Sequence, residues 1–227
     1  MKIITLTILT FLLAACGQQS PAPQAQKSQA IFVLIENGGT VAENEQGDAK
    51  DSALHLFQQL TKLERRKATR SAQIHIVLSA SPNRIAWSGT PSQLLAQAND
   101  VKNIITFKPS FSDLVMAFEQ IETTINLTQP DDIRLYWIGP VIHVPFQVSG
   151  DKPIDVSVPQ EIPSELALFD FADRLSVLRI MRVHPDQDQV LQAYLASIGV
   201  LKRARSGGLD FSLLGIAQTK SRLKTLL

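Results

Sequence analysis

The chain has 227 residues, of which 44% are hydrophobic and 19% are charged, a balance typical of one globular domain with a full-sized core. Its formal net charge is +1, so total charge gives no argument for binding to nucleic acid or to an anionic membrane surface. Cys16 is the single cysteine, which excludes an intramolecular disulfide and any cysteine-rich metal site.

The first 16 residues have the pattern of a targeting segment. Lys2 supplies a positive start, and residues 3–13 form an apolar run, interrupted only by threonines, that is too short to cross a bilayer as a helix. The run ends in Leu-Ala-Ala-Cys, with the cysteine at position 16. An ordinary secretory signal with an incidental thiol is the alternative interpretation.

This four-residue box resembles the bacterial lipoprotein signal, whose cysteine is lipidated and becomes the first residue of the mature protein. The resemblance implies a lipidated Cys16 and a signal peptide covering residues 1–16. Gly17, rather than an aspartate, follows the cysteine. By resemblance to Gram-negative lipoproteins, this favours an anchor in the outer membrane with the domain facing the periplasm.

Residues 17–29 contain Gln, Ser, Pro and Ala with very little apolar mass. Such a segment cannot bury enough apolar surface to offset the entropy of folding, so we predict a flexible tether. The fold is expected to start near Ala30. The sequence therefore divides into a signal peptide (1–16), a tether (17–29) and a single α/β domain (30–227).

Residues 31–35 are an uninterrupted apolar run rich in β-branched side chains, followed directly by Glu36, Asn37, Gly38, Gly39 and Thr40. This pattern predicts a strand buried on both faces that opens into a polar loop. Ligands in open α/β sheets bind at the carboxyl ends of the strands, so this loop is the first candidate site.

The remainder of the chain alternates between apolar runs and segments with helical periodicity. Strands are predicted at 74–78, 84–89, 104–107, 133–138, 177–183 and 200–205, and helices at 53–63, 91–98, 112–125, 166–175, 185–198 and 209–227. Alternation of this kind predicts a doubly wound, mainly parallel sheet with helices on both faces.

The order of these pieces resembles the von Willebrand factor A-type (vWA) domain, which implies a vWA/Rossmann-like three-layer sandwich. In that family Asp-x-Ser-x-Ser follows the first strand and binds a divalent cation, with a threonine and a further aspartate contributed by later loops. Here Glu36, Gly38 and Thr40 occupy the first motif, Ser112 matches the threonine region, and Gly139 lies where the aspartate should be. Because Mg²⁺ demands tight octahedral geometry, we expect a degenerate site that binds no metal and no cofactor.

The resemblance implies a protein-binding domain whose contact face is made by the loops 36–40, 110–113 and 139–143. The expected partner-binding residues are Glu36, Asn37, Thr40, Ser112, Asp113 and His143. The partner is expected to be a protein of an envelope assembly such as a secretion or conjugation apparatus. Contact with the membrane is expected through the lipid anchor only, and no nucleic acid is expected. The alternative is an adhesion-type binder that loads Mg²⁺ or Mn²⁺.

No catalytic set is recognised, so we expect no enzyme. A Gly-x-Ser-x-Gly elbow and a phosphate-binding loop are both absent from the sequence. The four histidines, His55, His75, His143 and His184, lie at no metal-ligand spacing. A further alternative is an enzyme with an unrecognised site near His184, which is otherwise interpreted as a helix-start residue before Pro185.

A basic cluster follows the first predicted helix and contains Lys62, Arg65, Arg66 and Lys67. We interpret it as a solvated helix end that complements the helix dipole. The alternative interpretation is a patch for phosphate or lipid head groups. No aromatic residues are interleaved with the bases to favour nucleic acid.

Overall fold

The computed structural model describes residues 27–109, 111–145 and 159–222. The predictions for the signal peptide, for lipidation at Cys16 and for most of the tether lie outside these ranges, as does Ser110 of the predicted contact face. β1 begins at Gln29, next to the predicted start of the fold at Ala30.

The described residues form a six-stranded sheet with the order β3-β2-β1-β4-β5-β6. The strands are β1 (Gln29–Ile35), β2 (Gln73–Leu78), β3 (Ile85–Gly89), β4 (Asp132–Ile138), β5 (Leu175–Val183) and β6 (Asp210–Gly215). Neighbouring strands are parallel except β2 and β3, which pair antiparallel at one edge. The predicted fold class is confirmed: this is a doubly wound, mainly parallel sheet of the vWA/Rossmann-like three-layer type.

Helices cover both faces of the sheet. They are α1 (Gln46–Thr61), α2 (Pro91–Ala96), α3 (Ala98–Ile104), α4 (Leu114–Thr128), α5 (Leu168–Phe171), α6 (Asp188–Ser197), α7 (Val200–Arg205) and α8 (Ile216–Arg222). Short 3-10 turns at Glu43–Glu45, Lys62–Arg65, Ala172–Arg174 and Pro185–Gln187 adjoin α1, α5 and α6. Within the described ranges, none of these helices has the length and apolar character needed to cross a bilayer.

β1 occupies the centre of the sheet because both of its faces are apolar. Ile31, Val33 and Ile35 pack with α1, α2 and α3, whereas Phe32 and Leu34 pack with α4, α5 and α6. All five side chains are fully buried. The prediction of a strand buried on both faces is therefore confirmed.

Two helix starts are capped by side chains. The Thr90 hydroxyl accepts a hydrogen bond from the Gln93 amide and the Gln93 side chain accepts one from the Thr90 amide, so a capping box opens α2. Asp113 caps α4, its Oδ1 accepting from the Met116 amide at 3.0 Å. This cap places the start of α4 at the carboxyl end of the sheet.

Three predicted elements are wrong. The strand predicted at 104–107 is instead the end of α3 and an irregular segment, and the strand predicted at 200–205 is α7. The helix predicted over 209–227 contains β6 before α8 begins at Ile216. The sequence of α7, VLKRAR, consists mostly of good helix formers. In β6 the alternation of apolar and polar residues covers only residues 210–213, because Leu214 follows Leu213. Both signals were available but weak over six residues.

Phe118 of α4 lies in the hydrophobic core on the face of the sheet that α4, α5 and α6 cover, which is the larger of the cores on the two faces. Its ring packs edge-on against Trp137, with centroids 4.9 Å apart, and stacks on Phe171. Phe118→Ala should lower the free energy of unfolding by about 3–5 kcal/mol, measured by urea denaturation, because it leaves a cavity between these rings. Leu127→Ala, on the same helix at a side chain 80% exposed, should change it by less than about 0.5 kcal/mol. Equal losses in the two variants would contradict this packing.

Candidate functional site

Ser79, the residue after β2, joins two of the loops that the sequence predicted to meet. Its fully buried hydroxyl accepts from the Asn37 amide at 3.2 Å and from the Ser112 hydroxyl at 2.8 Å. Its carbonyl accepts from the Asp113 amide at 3.0 Å. The loop after β1 and the start of α4 therefore lie against each other at the carboxyl edge of the sheet.

Glu36 turns its side chain into the protein, toward the segment that follows β4. Oε1 accepts from the Trp137 indole N–H and from the Val141 amide, both at 2.8 Å. Oε2 accepts from the Ile142 amide at 3.2 Å. The residue is only 1% exposed. Glu36 is thus an internal acceptor that ties β1 to the chain leaving β4.

Burial has the largest effect on the pKa of the Glu36 carboxyl. It raises the pKa of the Glu36 carboxyl to about 8, although the hydrogen bonds from Val141, Ile142 and Trp137 oppose the rise. A neutral carboxyl would carry its proton on Oε2, the oxygen that has the single, longer contact. The group is therefore neutral over much of the range below pH 8.

The segment held by Glu36 has an unusual backbone. Val141 has φ of 65°, in the left-handed region that β-branched residues rarely adopt. Its amide is held by Glu36 and its carbonyl accepts from the Gln187 side chain at 2.7 Å. Strain of this kind, of order 1–3 kcal/mol, persists only where the surroundings determine the conformation.

Gly139 has no room for a side chain, because Glu36 packs directly against it. A Cβ at Gly139 would lie 2.4 Å from the Glu36 Cβ and 2.5 Å from its carboxyl carbon. The longer Glu36 side chain therefore fills the space that a side chain at 139 would need.

The residues at the predicted cation position do not fit a divalent cation. The Glu36 oxygens already accept hydrogen bonds from internal N–H groups, and the Ser112 hydroxyl donates to Ser79. Gly38 has no side-chain oxygen, and a Cβ there would collide with the Phe111 carbonyl. Thr40 Oγ1 is buried and has no hydrogen-bond partner among the described residues. Mg²⁺ needs a near-ideal octahedron of oxygens. No group of three or more His, Cys, Asp or Glu side chains suited to a metal occurs within residues 27–109, 111–145 and 159–222.

Most of the predicted partner-binding residues are interior. Glu36, Asn37, Thr40 and Ser112 are each at most 1% exposed, and Asp113 is 6% exposed. Asn37 is fully engaged, because its amide nitrogen donates to the Thr106 carbonyl at 2.7 Å and its oxygen accepts from the Ala80 amide at 3.0 Å. These side chains hold the loops together and present little surface to another molecule.

His143 lies at the boundary between this interior set and solvent. Its Nδ1 accepts from the Leu114 amide at 3.1 Å and lies 3.8 Å from Asp113 Oδ1. Because Nδ1 accepts, the neutral ring carries its proton on Nε2. Burial lowers the pKa of His143, and the nearby Asp113 and Glu165 carboxylates oppose that shift. His143 is accordingly an uncharged ring at neutral pH.

A groove of about 500 Å³ opens beside His143, which we name the acidic groove. Its walls include Asp113, Met116, Glu119, His143, Pro145 and Glu165. Among the described residues that line it there is no Lys or Arg, and Met116 is 41% exposed. The groove therefore combines three carboxylates with an exposed thioether, a combination suited to a basic partner with an apolar side chain.

Sequence reasoning missed Met116, Glu119 and Glu165. A signal for Met116 existed, since it is one of the large apolar residues of α4, with Leu127, that lie outside the inward stripe of Leu114, Phe118 and Ile121. No local pattern could have brought Glu165 next to α4, because the two lie far apart in the chain and meet through the tertiary fold.

His184 lies at the carboxyl end of β5 but acts as a cap. Its Nδ1 accepts from the Asp186 amide at 3.3 Å and lies 3.8 Å from Asp186 Oδ2, with the side chain 20% exposed. The 3-10 turn Pro185–Gln187 follows directly. This geometry matches the interpretation of His184 as a helix-start residue.

Comparison with known proteins adds no relative. No protein-family model matches the chain, and no curated protein matches it. The fold and the geometry of the carboxyl edge are therefore the observations from which function is argued.

The raised pKa of Glu36 predicts a pH-dependent stability. Between about pH 4.5 and pH 8 the folded state keeps a proton that the unfolded state has released. Stability from this group is therefore full below about pH 4.5 and is lost as pH rises through 8, at about 1 kcal/mol for each pH unit. Glu36→Gln should remove this loss in urea denaturation series from pH 5 to pH 8. An unchanged slope in the variant would contradict a neutral Glu36.

Gly38 and Gly47 form a matched pair that tests the close approach of the first loop to Phe111. A Cβ at Gly38 would lie 2.2 Å from the Phe111 carbonyl oxygen, whereas a Cβ at Gly47 in α1 meets nothing within 4 Å. Gly38→Ala should lower the free energy of unfolding by about 1–3 kcal/mol. Gly47→Ala should raise it by up to about 1 kcal/mol, because alanine favours the helix. Urea denaturation of both variants checks the prediction, and a neutral Gly38→Ala would refute it.

Proposed function

We propose that this chain is a lipid-anchored periplasmic adaptor, held at the outer membrane through Cys16, that docks a protein of an envelope assembly. The lipoprotein-like box ending at Cys16 and the polar composition of residues 17–29 support the anchor and the tether. The observation that carries the docking role is the acidic groove beside the carboxyl edge of the sheet. The role proposed is binding alone.

In this proposal the interior residues position the groove and the exposed residues contact the partner. Ser112 bonds Ser79 through its hydroxyl and pairs its backbone with Val144, amide to carbonyl in both directions at 2.9 Å. The Leu114 amide bonds His143. The walls of the groove on α4 and on the segment up to Pro145 are thereby fixed to each other, which preorganises the surface for binding.

The chemistry of the groove leads us to expect a partner with basic and apolar side chains. The exposed carboxylates of Glu119 and Glu165 favour Lys or Arg side chains, and the adaptable Met116 thioether suits an apolar side chain between them. Exposed ion pairs contribute only about 0–1 kcal/mol each, so charge governs association rate and selectivity more than affinity. The expected complex is therefore of modest affinity and sensitive to salt.

Site-specific photo-crosslinking tests the placement. A photoreactive amino acid at Met116 should give one discrete protein adduct in envelope preparations, whereas the same amino acid at Leu127, which is more exposed and lies at the other end of α4, should not. The Met116 adduct should weaken as salt is raised, because the groove is acidic.

Charge reversal supplies the matched control. Glu119→Lys should reduce the Met116 adduct about tenfold or more, since like charges would face the basic partner. Glu122→Lys, three residues further along α4 and outside the groove, should leave the adduct unchanged. Equal adducts at positions 116 and 127, or an adduct insensitive to Glu119→Lys, would refute docking at this groove.

A further inference from the structure

A basic cluster follows α1, at residues 62–70, which we name the basic turn. It contains Lys62, Arg65, Arg66, Lys67 and Arg70, with Glu64 as the one acid in that span. The backbone is well fixed: the Thr69 hydroxyl donates to the Leu63 carbonyl at 2.9 Å, and the Arg70 amide donates to the Arg66 carbonyl at 3.0 Å. The cluster is thus an ordered surface feature of the fold.

Four of the five basic side chains of the basic turn are exposed and belong to no ion pair among the described residues. These four are Lys62, Arg65, Arg66 and Arg70. A chain of formal net charge +1 therefore concentrates positive charge at one place on its surface.

The strand register places the basic turn next to the point where the N-terminal segment joins the domain. β1 and β2 are parallel neighbours, with Ala30 opposite Gln73. Arg70 is at most about 10 Å of chain from Gln73, and adjacent strands lie about 4.8 Å apart. The chain from Cys16 to Lys27 spans at most about 40 Å when fully extended. An anchor at Cys16 would therefore hold this end of the domain within about 40 Å of the membrane.

The acidic groove lies at the other end of the sheet from the basic turn. It lies at the carboxyl ends of the strands, where the Asp113 amide donates to the Ser79 carbonyl, and the part of its lining that the structure describes contains no Lys or Arg. Parallel strands place the starts of β1 and β2 at one end and the groove at the other. The basic turn therefore lies at the end of the sheet where the N-terminal segment joins the domain, an end that also carries Asp131 and Asp132, and the acidic groove lies at the other end.

We propose that the basic turn binds the head groups of anionic phospholipids in the anchoring membrane, so that the acidic groove faces away from the bilayer. The proposal rests on the lipid anchoring of the proposed function. Guanidinium groups bind phosphate oxygens through paired N–H donors, which suits three arginines at one surface. Phospholipid is favoured over nucleic acid because the turn has no aromatic side chain on which bases could stack.

Vesicle co-sedimentation tests the proposal on a chain that lacks residues 1–16 and runs from Gly17 to Leu227. This chain carries no lipid and keeps every described residue. The chain should bind vesicles of phosphatidylcholine with phosphatidylglycerol, and not vesicles of phosphatidylcholine alone. Raising the salt should release it. Arg65→Gln with Arg66→Gln should weaken binding about tenfold or more, since each base near an anionic surface contributes several-fold.

The matched control removes the same charge elsewhere. Lys102→Gln with Lys220→Gln, at exposed positions on α3 and α8, should leave vesicle binding within about twofold of the unsubstituted chain. Equal loss in the control pair, unchanged binding in the Arg65 and Arg66 pair, or equal binding to neutral vesicles would overturn the proposal. Tighter binding to a DNA duplex than to the anionic vesicles at the same salt would also overturn it.

A separate measurement distinguishes failure of this inference from failure of the anchor. Metabolic labelling with a palmitate analogue in cells should mark the full-length protein and not its Cys16→Ser variant. Labelled Cys16 together with no binding to anionic vesicles would overturn the head-group proposal and leave the anchor standing. Unlabelled Cys16 would overturn the anchor and, with it, the proposed orientation of the groove.

Discussion

The carboxyl of Glu36 is the contact on which the arrangement of the carboxyl edge depends. It accepts from the Trp137 indole and from the amides of Val141 and Ile142, and so fixes β1 to the chain that leaves β4. Left unpaired, these buried N–H groups would each cost about 1–3 kcal/mol. The Glu36 side chain holds Val141 in its left-handed backbone conformation, and it fills the space that a side chain at Gly139 would need. A polar group at the first loop thus serves the interior of the protein.

Buried and partly buried polar contacts also hold the acidic groove, which lies beside this edge of the sheet. Ser79 ties the first loop to the start of α4, and the Leu114 amide ties α4 to His143, so each wall of the acidic groove is braced by a buried polar contact. The proposed docking role uses the exposed side of this framework, and the proposed head-group contact uses the other end of the sheet. Placing a basic surface next to the anchor and an acidic groove away from it would give one small domain a defined orientation.

The fold could be predicted from the sequence because its strongest signals are local. The buried run at 31–35, the capping residues Thr90 and Asp113, and the turn at Gly199, whose φ is 80°, each carry their physical reason in a few neighbouring residues. Short elements were harder: α7 and β6 have six residues each, too few for helical or strand periodicity to decide between them.

The candidate site was located only in part. The sequence identified the loops that Ser79 brings together, because strand ends in a parallel sheet share one edge. Whether Glu36 points outward or inward depends on Trp137 and Val141, about a hundred residues away, and no local pattern encodes that choice. The groove beside it depends likewise on Glu165 reaching α4.

Hydrogen exchange at the donors to Glu36 tests this account most directly. The Val141 and Ile142 amides and the Trp137 indole N–H, followed by NMR in deuterated water, should exchange as slowly as the central β1 amides, because opening them would expose a buried acceptor and break the carboxyl edge. In Glu36→Ala the same three sites should exchange markedly faster while β1 stays protected. Fast exchange of Val141 and Ile142 in the unsubstituted protein would contradict the account.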